Sequence, residues 1–160
     1  MKSKKAQAWG FDLMIASVIF VAAIATFYLF TLNNTHETDE NLQSLQYDGN
    51  NIADNILSIG YPENWTQSNV IRIGILSEDK INEDKLSNFN ELAETNYEAT
   101  KSALDSRNNY YITFSENITL GSNSIDFIGM KEANPKNLVK TTRLTVYKER
   151  PIAIYINVWN

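Results

Sequence analysis

The chain has 160 residues, no cysteine and a net charge of −5. That length allows one membrane helix and one small domain with a single modest core. The lack of cysteine excludes disulfides, thiol chemistry and cysteine-based metal sites, and the acidic balance does not suit nucleic acid, whose backbone is met by clustered Lys and Arg.

The N-terminus carries Lys2, Lys4 and Lys5, then Ala6, Gln7, Ala8, Trp9, Gly10, Phe11 and Asp12. From Leu13 to Leu32 run twenty uncharged, mostly apolar residues. As a helix they would extend about 30 Å at about 1.5 Å per residue, the hydrocarbon thickness of a bilayer. The polar remainder of the chain is too small to cover such a helix on every side. The segment is therefore expected in lipid, against copies of itself, or in each in turn. A secretory leader would have a shorter apolar core and an Ala-x-Ala-like cut site after it; here Thr31-Leu-Asn-Asn-Thr-His-Glu follows. Asp12 sits at the mouth of the run, where an ionisable group costs a few kcal/mol unless paired.

These residues resemble the archaeal type IV pilin-like proteins with class III signal peptides. The match consists of the basic leader Lys2, Lys4 and Lys5, the small residue Ala6, Gln7 as first mature residue, and Asp12 close behind. Two positions depart from the commonest pattern: Ala6 stands where Gly is commoner, and the acid is sixth after the cut rather than fifth. The resemblance implies cleavage between Ala6 and Gln7 by a prepilin-type peptidase. It implies that Asp12 pairs with the new α-amino group of a neighbouring subunit, with Trp9 and Phe11 beside it at the assembly surface. It also implies a leader over 1–6, a transmembrane and assembly helix over 7–32, and an extracellular α+β head over 33–160. The partners are then other copies of the chain or other pilins, with membrane lipid before assembly. The product is an extracellular filament for adhesion, motility or surface contact. The alternative is a plain single-pass anchor, uncleaved and unpolymerised, in which the three lysines hold the N-terminus in the cytoplasm and the head is an external binding module. Trp9 and Tyr28 suit either reading, as interfacial anchors or as packing between helices.

Beyond the polar stretch Asn33–Asn41, apolar residues return at Leu42, Leu45, Ile52, Ile56, Leu57 and Ile59, with Gly60 and Pro62 as stop signals. The spacing predicts a helix over about 39–59, packed on the head and continuous with the membrane helix unless it breaks at Asn33-Asn34 or at Asp48-Gly49-Asn50. Pro62–Thr66 reads as a loop anchored by Trp65. Val70–Leu76 is rich in β-branched residues and reads as a strand. Short helices are expected over 85–93 and 96–105, and strands over 110–114, 124–130, 138–147 and 152–159. The last two should form an antiparallel hairpin with Pro151 at a strand start. The expected architecture is α+β: a long N-terminal helix on a four- or five-stranded, mostly antiparallel sheet, with both short helices between its first two strands.

No catalytic constellation is legible. His36 is the sole histidine and lies in the polar stretch, with no cysteine or second histidine to join it. No Gly-x-Ser-x-Gly or phosphate-binding glycine loop occurs. Asp79, Glu83 and Asp84 read as a charged helix start rather than a calcium loop. No enzyme activity, cofactor or metal is expected. Three Asn-x-Ser/Thr sequons begin at Asn33, Asn64 and Asn117 and are candidate N-glycosylation sites if the head faces outward.

Overall fold

The computed structural model describes the backbone of residues 4–120 and 123–160, and side chains over 10–31, 40–120 and 124–160. Two compact units result, Met1–Glu40 and Asn41–Asn160. One helix, α1 (Lys4–Ile56), contributes to both, so neither suspected break interrupts it. In the first unit, Gly10–Thr31 has a mean hydropathy of 2.5 and is 0 % buried. Beyond Asp12, the small hydroxyl side chains of this stretch bond within the helix. The hydroxyls of Ser17, Thr26 and Thr31 donate to the carbonyls of Leu13, Ala22 and Phe27 at 2.8, 2.8 and 2.9 Å, which leaves an apolar exterior.

The second unit is an α+β fold. A six-stranded sheet has the order β1-β2-β7-β8-β3-β6: β1 (Leu76–Ser77), β2 (Lys80–Ile81), β3 (Asn109–Phe114), β6 (Ile128–Gly129), β7 (Leu138–Tyr147) and β8 (Arg150–Trp159). All its pairings are antiparallel except β2 with β7. A separate hairpin joins β4 (Ile118–Leu120) and β5 (Asn123–Ile125). Helices α2 (Glu83–Thr95) and α3 (Tyr97–Ala103) fall between β2 and β3. From α1 the core takes Leu45, Ile52 and Ile56; from α2 it takes Leu86, Phe89 and Leu92. From β8 it takes Ile152, Ile154, Ile156 and Val158, the period-2 set of the core face, while Asn157 and Trp159 are buried on the other face near the strand's end. Leu42 and Ile59, expected on the buried stripe of α1, stay partly in solvent, and α1 ends at Ile56 rather than Ile59.

Two expected elements and the strand count are corrected. The expected strand Val70–Leu76 forms no ladder except at Leu76, the first residue of β1. Its backbone instead serves the end of α1, with Ile75 N–H donating to the Ile56 carbonyl at 2.9 Å and Leu76 N–H to that of Ser58 at 3.0 Å. A helix end leaves carbonyls without intrahelical donors, and this segment supplies them. The stretch 124–130 is split by Asp126-Phe127 into β5 and β6, which belong to different sheets. The sheet therefore has six strands rather than four or five, because β1, β2 and β6 are too short for a propensity signal. The β7–β8 hairpin matches expectation, with Tyr147 paired to Arg150 and Val146 to Pro151. Its loop residues Lys148 and Glu149 have φ of 47° and 64°, and Glu78 and Asp79 between β1 and β2 have 51° and 62°, the left-handed pair of a two-residue type I′ turn. The two turns are joined by Lys80 Nζ and Glu149 Oε1 at 2.5 Å.

The triplet Asp48-Gly49-Asn50 is a packing site rather than a break. A Cβ on Gly49 would lie 2.7 Å from Thr141 Oγ1 and 3.6 Å from Val158 Cγ2, so only glycine lets α1 approach β7 and β8 this closely. Asn50 Oδ1 accepts from Arg143 Nη2 at 3.1 Å, and Asp54 lies 3.8 Å from the same guanidinium.

Candidate functional site

The apolar surface of α1 is the first candidate. Phe11, Phe20, Phe27 and Phe30 are all exposed; the intervals of nine, seven and three residues put Phe20, Phe27 and Phe30 toward one side and Phe11 opposite Phe20. Asp12 is exposed at the start of this surface, next to Phe11. The Ala6–Gln7 bond falls within the backbone of α1. The side chains of Ala6, Gln7, Trp9, Asn33 and His36 lie outside the described residues. Of the sequons, Asn64 is exposed just before buried Trp65, and Asn117 is exposed just before β4. Trp65 is the expected anchor, its indole N–H donating to the Gly74 carbonyl at 2.9 Å.

In the head, α1 carries a polar stripe that the apolar pattern does not announce: Ser44, Asp48, Asn51 and Asn55, at helical steps of four, three and four. It binds the segment between α3 and β3. Asp48 is 2 % exposed, and its Oδ2 accepts from the backbone N–H groups of Arg107 and Asn108, both at 2.9 Å, from Asn108 Nδ2 at 3.0 Å and from Ser106 Oγ at 3.3 Å. Asn51 Nδ2 donates to the Asp105 carbonyl at 2.9 Å and Asn55 Nδ2 to that of Leu104 at 3.1 Å, so α1 satisfies carbonyls at the end of α3. The signal available in the sequence was that helical spacing of four small polar residues beside the apolar stripe.

Two further polar clusters tie the head together. Tyr97 and Tyr110 lie with ring centroids 5.3 Å apart. Tyr110 N–H donates to Tyr97 Oη at 2.8 Å, and Tyr110 O–H donates to Thr100 Oγ1 at 2.5 Å. Burial pushes the Tyr97 phenol up to about 12 and raises that of Tyr110 as well. Lys85, almost wholly buried, donates from Nζ to the carbonyls of Ile59 at 2.8 Å and Leu76 at 3.0 Å; burial lowers its pKa.

The charged start of α2 holds Glu83 and Asp84 as expected, but Asp79 sits in the β1–β2 turn instead. Asn82 caps α2, accepting from Lys85 N–H at 3.0 Å, and Glu83 accepts from Lys148 Nζ at 2.6 Å and Tyr147 O–H at 2.7 Å. Those two donors hold the Glu83 carboxyl below its ordinary range. Open grooves of about 390 and 350 Å³ run between α2 and β5, lined in part by Asn90, Glu94, Ser124 and Ile125. The acids there are engaged within the chain: Glu91 accepts from Gln67 and Glu94 from Asn90. Among the described residues no group of three or more His, Asp or Glu could hold a metal ion. No protein-family model, curated protein or solved structure matches this chain.

Proposed function

We propose that the chain is a structural subunit of an extracellular filament of the type IV pilus kind, cleaved between Ala6 and Gln7 and polymerised through the helix over 7–32. The observation that carries this reading is the 22-residue apolar stretch of α1, none of it buried, on a chain whose other unit has a closed core of its own. Such a helix is soluble only in lipid or among other apolar helices. On leaving the bilayer it must find equivalent cover, since fully burying one phenylalanine is worth about 1.5–3 kcal/mol. A bundle of identical helices provides that cover with a single repeated contact. Asp12 fits the same scheme. A lone carboxylate at that depth needs a cation, and cleavage before Gln7 creates one on every neighbouring subunit. In this reading the head faces outward, and Asn64 and Asn117 are open to glycan transfer.

The test is the mass of the N-terminus in membrane-extracted protein, followed by electron microscopy of the cell surface. The filament reading expects a chain beginning at Gln7 and visible fibres. Asp12→Ala is expected to insert into the membrane normally and to abolish fibres. A chain that retains Met1–Ala6 and stays solitary in detergent refutes the reading and leaves a tethered external module.

A further inference from the structure

The outer edge of β7 is open. Its inner side pairs with β8 along the whole strand. On the other side, among the described residues, only Val146 has a strand partner, Lys80 of β2. Tyr147 and Arg150 flank a two-residue turn and so form a hydrogen-bonded pair. Alternation then turns the N–H and C=O groups of odd-numbered β7 residues toward β8 and those of even-numbered residues outward. Asn160 N–H donating to the Asn137 carbonyl fits that phase, as does the outward pairing of Val146. Leu138, Lys140, Thr142 and Leu144 thus present backbone groups to which no other strand is bonded among the described residues. The one contact there is local, from Arg143 Nη1 to the Thr142 carbonyl at 3.3 Å.

Edge strands are normally guarded by charge. Here both charges are drawn away from the edge. Lys140 Nζ lies 3.9 Å from the ring centroid of Tyr155 on β8, and Arg143 reaches Asn50 and Asp54 of α1. What remains at the edge is Leu138 and Leu144, 41 % and 75 % exposed, with threonines between them.

We infer that this edge pairs with the same edge of a second copy, antiparallel about a two-fold axis through Thr141. The choice of partner follows from register. Outward residues must face outward residues, which limits the two-fold to positions 140, 141 or 142 near the strand centre. An axis at Lys140 sets Lys140 against Lys140. An axis at Thr142 sets Leu138 against Val146, which β2 already occupies. The axis at Thr141 sets Leu138 against Leu144 and Lys140 against Thr142, each twice, with no like charges opposed. α1 runs alongside β7 in the same sense, Gly49 beside Thr141 and Asp54 beside Arg143. The two-fold therefore reverses α1 in the second copy. The contact joins heads pointing in opposite directions.

Single cysteines test this in the full-length chain in detergent micelles, since the chain has none of its own. Across the proposed axis two Thr141 Cα atoms come within disulfide reach, whereas two copies of residue 140 or of 142 lie beyond about 7 Å. Under mild oxidation Thr141→Cys is expected to form covalent dimers at least about tenfold faster than Lys140→Cys or Thr142→Cys alone. Because Thr141 is largely buried, the double variant Lys140→Cys/Thr142→Cys, on exposed positions, provides a second measurement and is expected to crosslink as well. Adding Thr142→Pro to Thr141→Cys removes an outward N–H without touching the β7–β8 ladder and should slow dimer formation about tenfold. Asp12→Ala, which tests the filament, should leave the crosslink unchanged. The inference is overturned if Lys140→Cys alone matches Thr141→Cys, if Thr142→Pro has no effect, or if neither Thr141→Cys nor the double variant crosslinks.

Discussion

Asp48 ties α1 to the segment between α3 and β3, and Asp48→Ala measures how much that tie is worth. Its Oδ2 receives four donors, two of them backbone N–H groups. Removing the carboxylate takes the acceptor from the N–H groups of Arg107 and Asn108, both in part-buried bonds, where each lost partner costs toward the lower end of about 1–3 kcal/mol. Alanine returns at most about 0.7 kcal/mol through its better helix propensity. The losses share one acceptor and are not additive, so a net cost of about 2–4 kcal/mol is expected. All four donors converge on Oδ2, so Asp48→Asn can keep its one oxygen there with the N–H₂ at the Oδ1 position; it loses the charge but not the acceptor and should cost about half as much or less. The assay is thermal unfolding of the detergent-solubilised chain, followed by near-ultraviolet circular dichroism of the buried aromatic residues. For a unit of this size about 1 kcal/mol corresponds to roughly 3–6 °C in Tm, so Asp48→Ala should melt roughly 6–24 °C lower. A drop under about 2 °C, or Asn costing more than Ala, would show that the segment 106–108 is held by something other than this carboxylate.

Gly49→Ala should destabilise by about 1–2 kcal/mol although alanine is the better helix former, because its Cβ meets Thr141. In a Thr141→Ala background the same change should be neutral or stabilising, which a double-mutant cycle in melting temperature reads directly. The tyrosine pair makes the head sensitive to alkali. The folded-state pKa of Tyr97 is raised, to about 12, and that of Tyr110 is raised too. Their contribution is complete below the unfolded value of about 10 and is lost as pH climbs through the folded values, at about 1.4 kcal/mol per unit for each group. Lys85, with a lowered pKa, acts in the opposite sense as pH nears its unfolded value, but two phenols outweigh one ammonium. Tyr97→Phe should cost about 1–2 kcal/mol at neutral pH by stranding Tyr110 N–H, while flattening the fall in Tm between about pH 10 and pH 12.

Which elements were legible in the sequence follows from where their information resides. The β7–β8 hairpin and α2 are specified locally; the hairpin forms as read, with Pro151 near a strand start, and α2, capped by Asn82, extends two residues beyond the expected 85–93 at each end. Val70–Leu76 shows the limit of that kind of signal. β-branched residues favour an extended backbone, but what the extended chain bonds to is set elsewhere, here by the donorless carbonyls at the end of α1. Asp48-Gly49-Asn50 fails in the opposite direction. Each residue disfavours a helix interior for a reason that tertiary contact reverses: the carboxylate finds backbone donors, the missing Cβ admits Thr141, and the amide meets Arg143. The candidate assembly surface was the most legible part, because it requires no partner within the chain. Twenty uncharged residues in a row state their solvent without reference to any fold. The edge of β7 was the least legible. Its sequence reads as an ordinary half-buried strand, and nothing in Leu138–Leu144 says that β2 stops at Val146 or that Lys140 and Arg143 point away from the edge. An open edge depends on what the rest of the chain declines to cover, so it became visible only once every neighbouring strand had been placed.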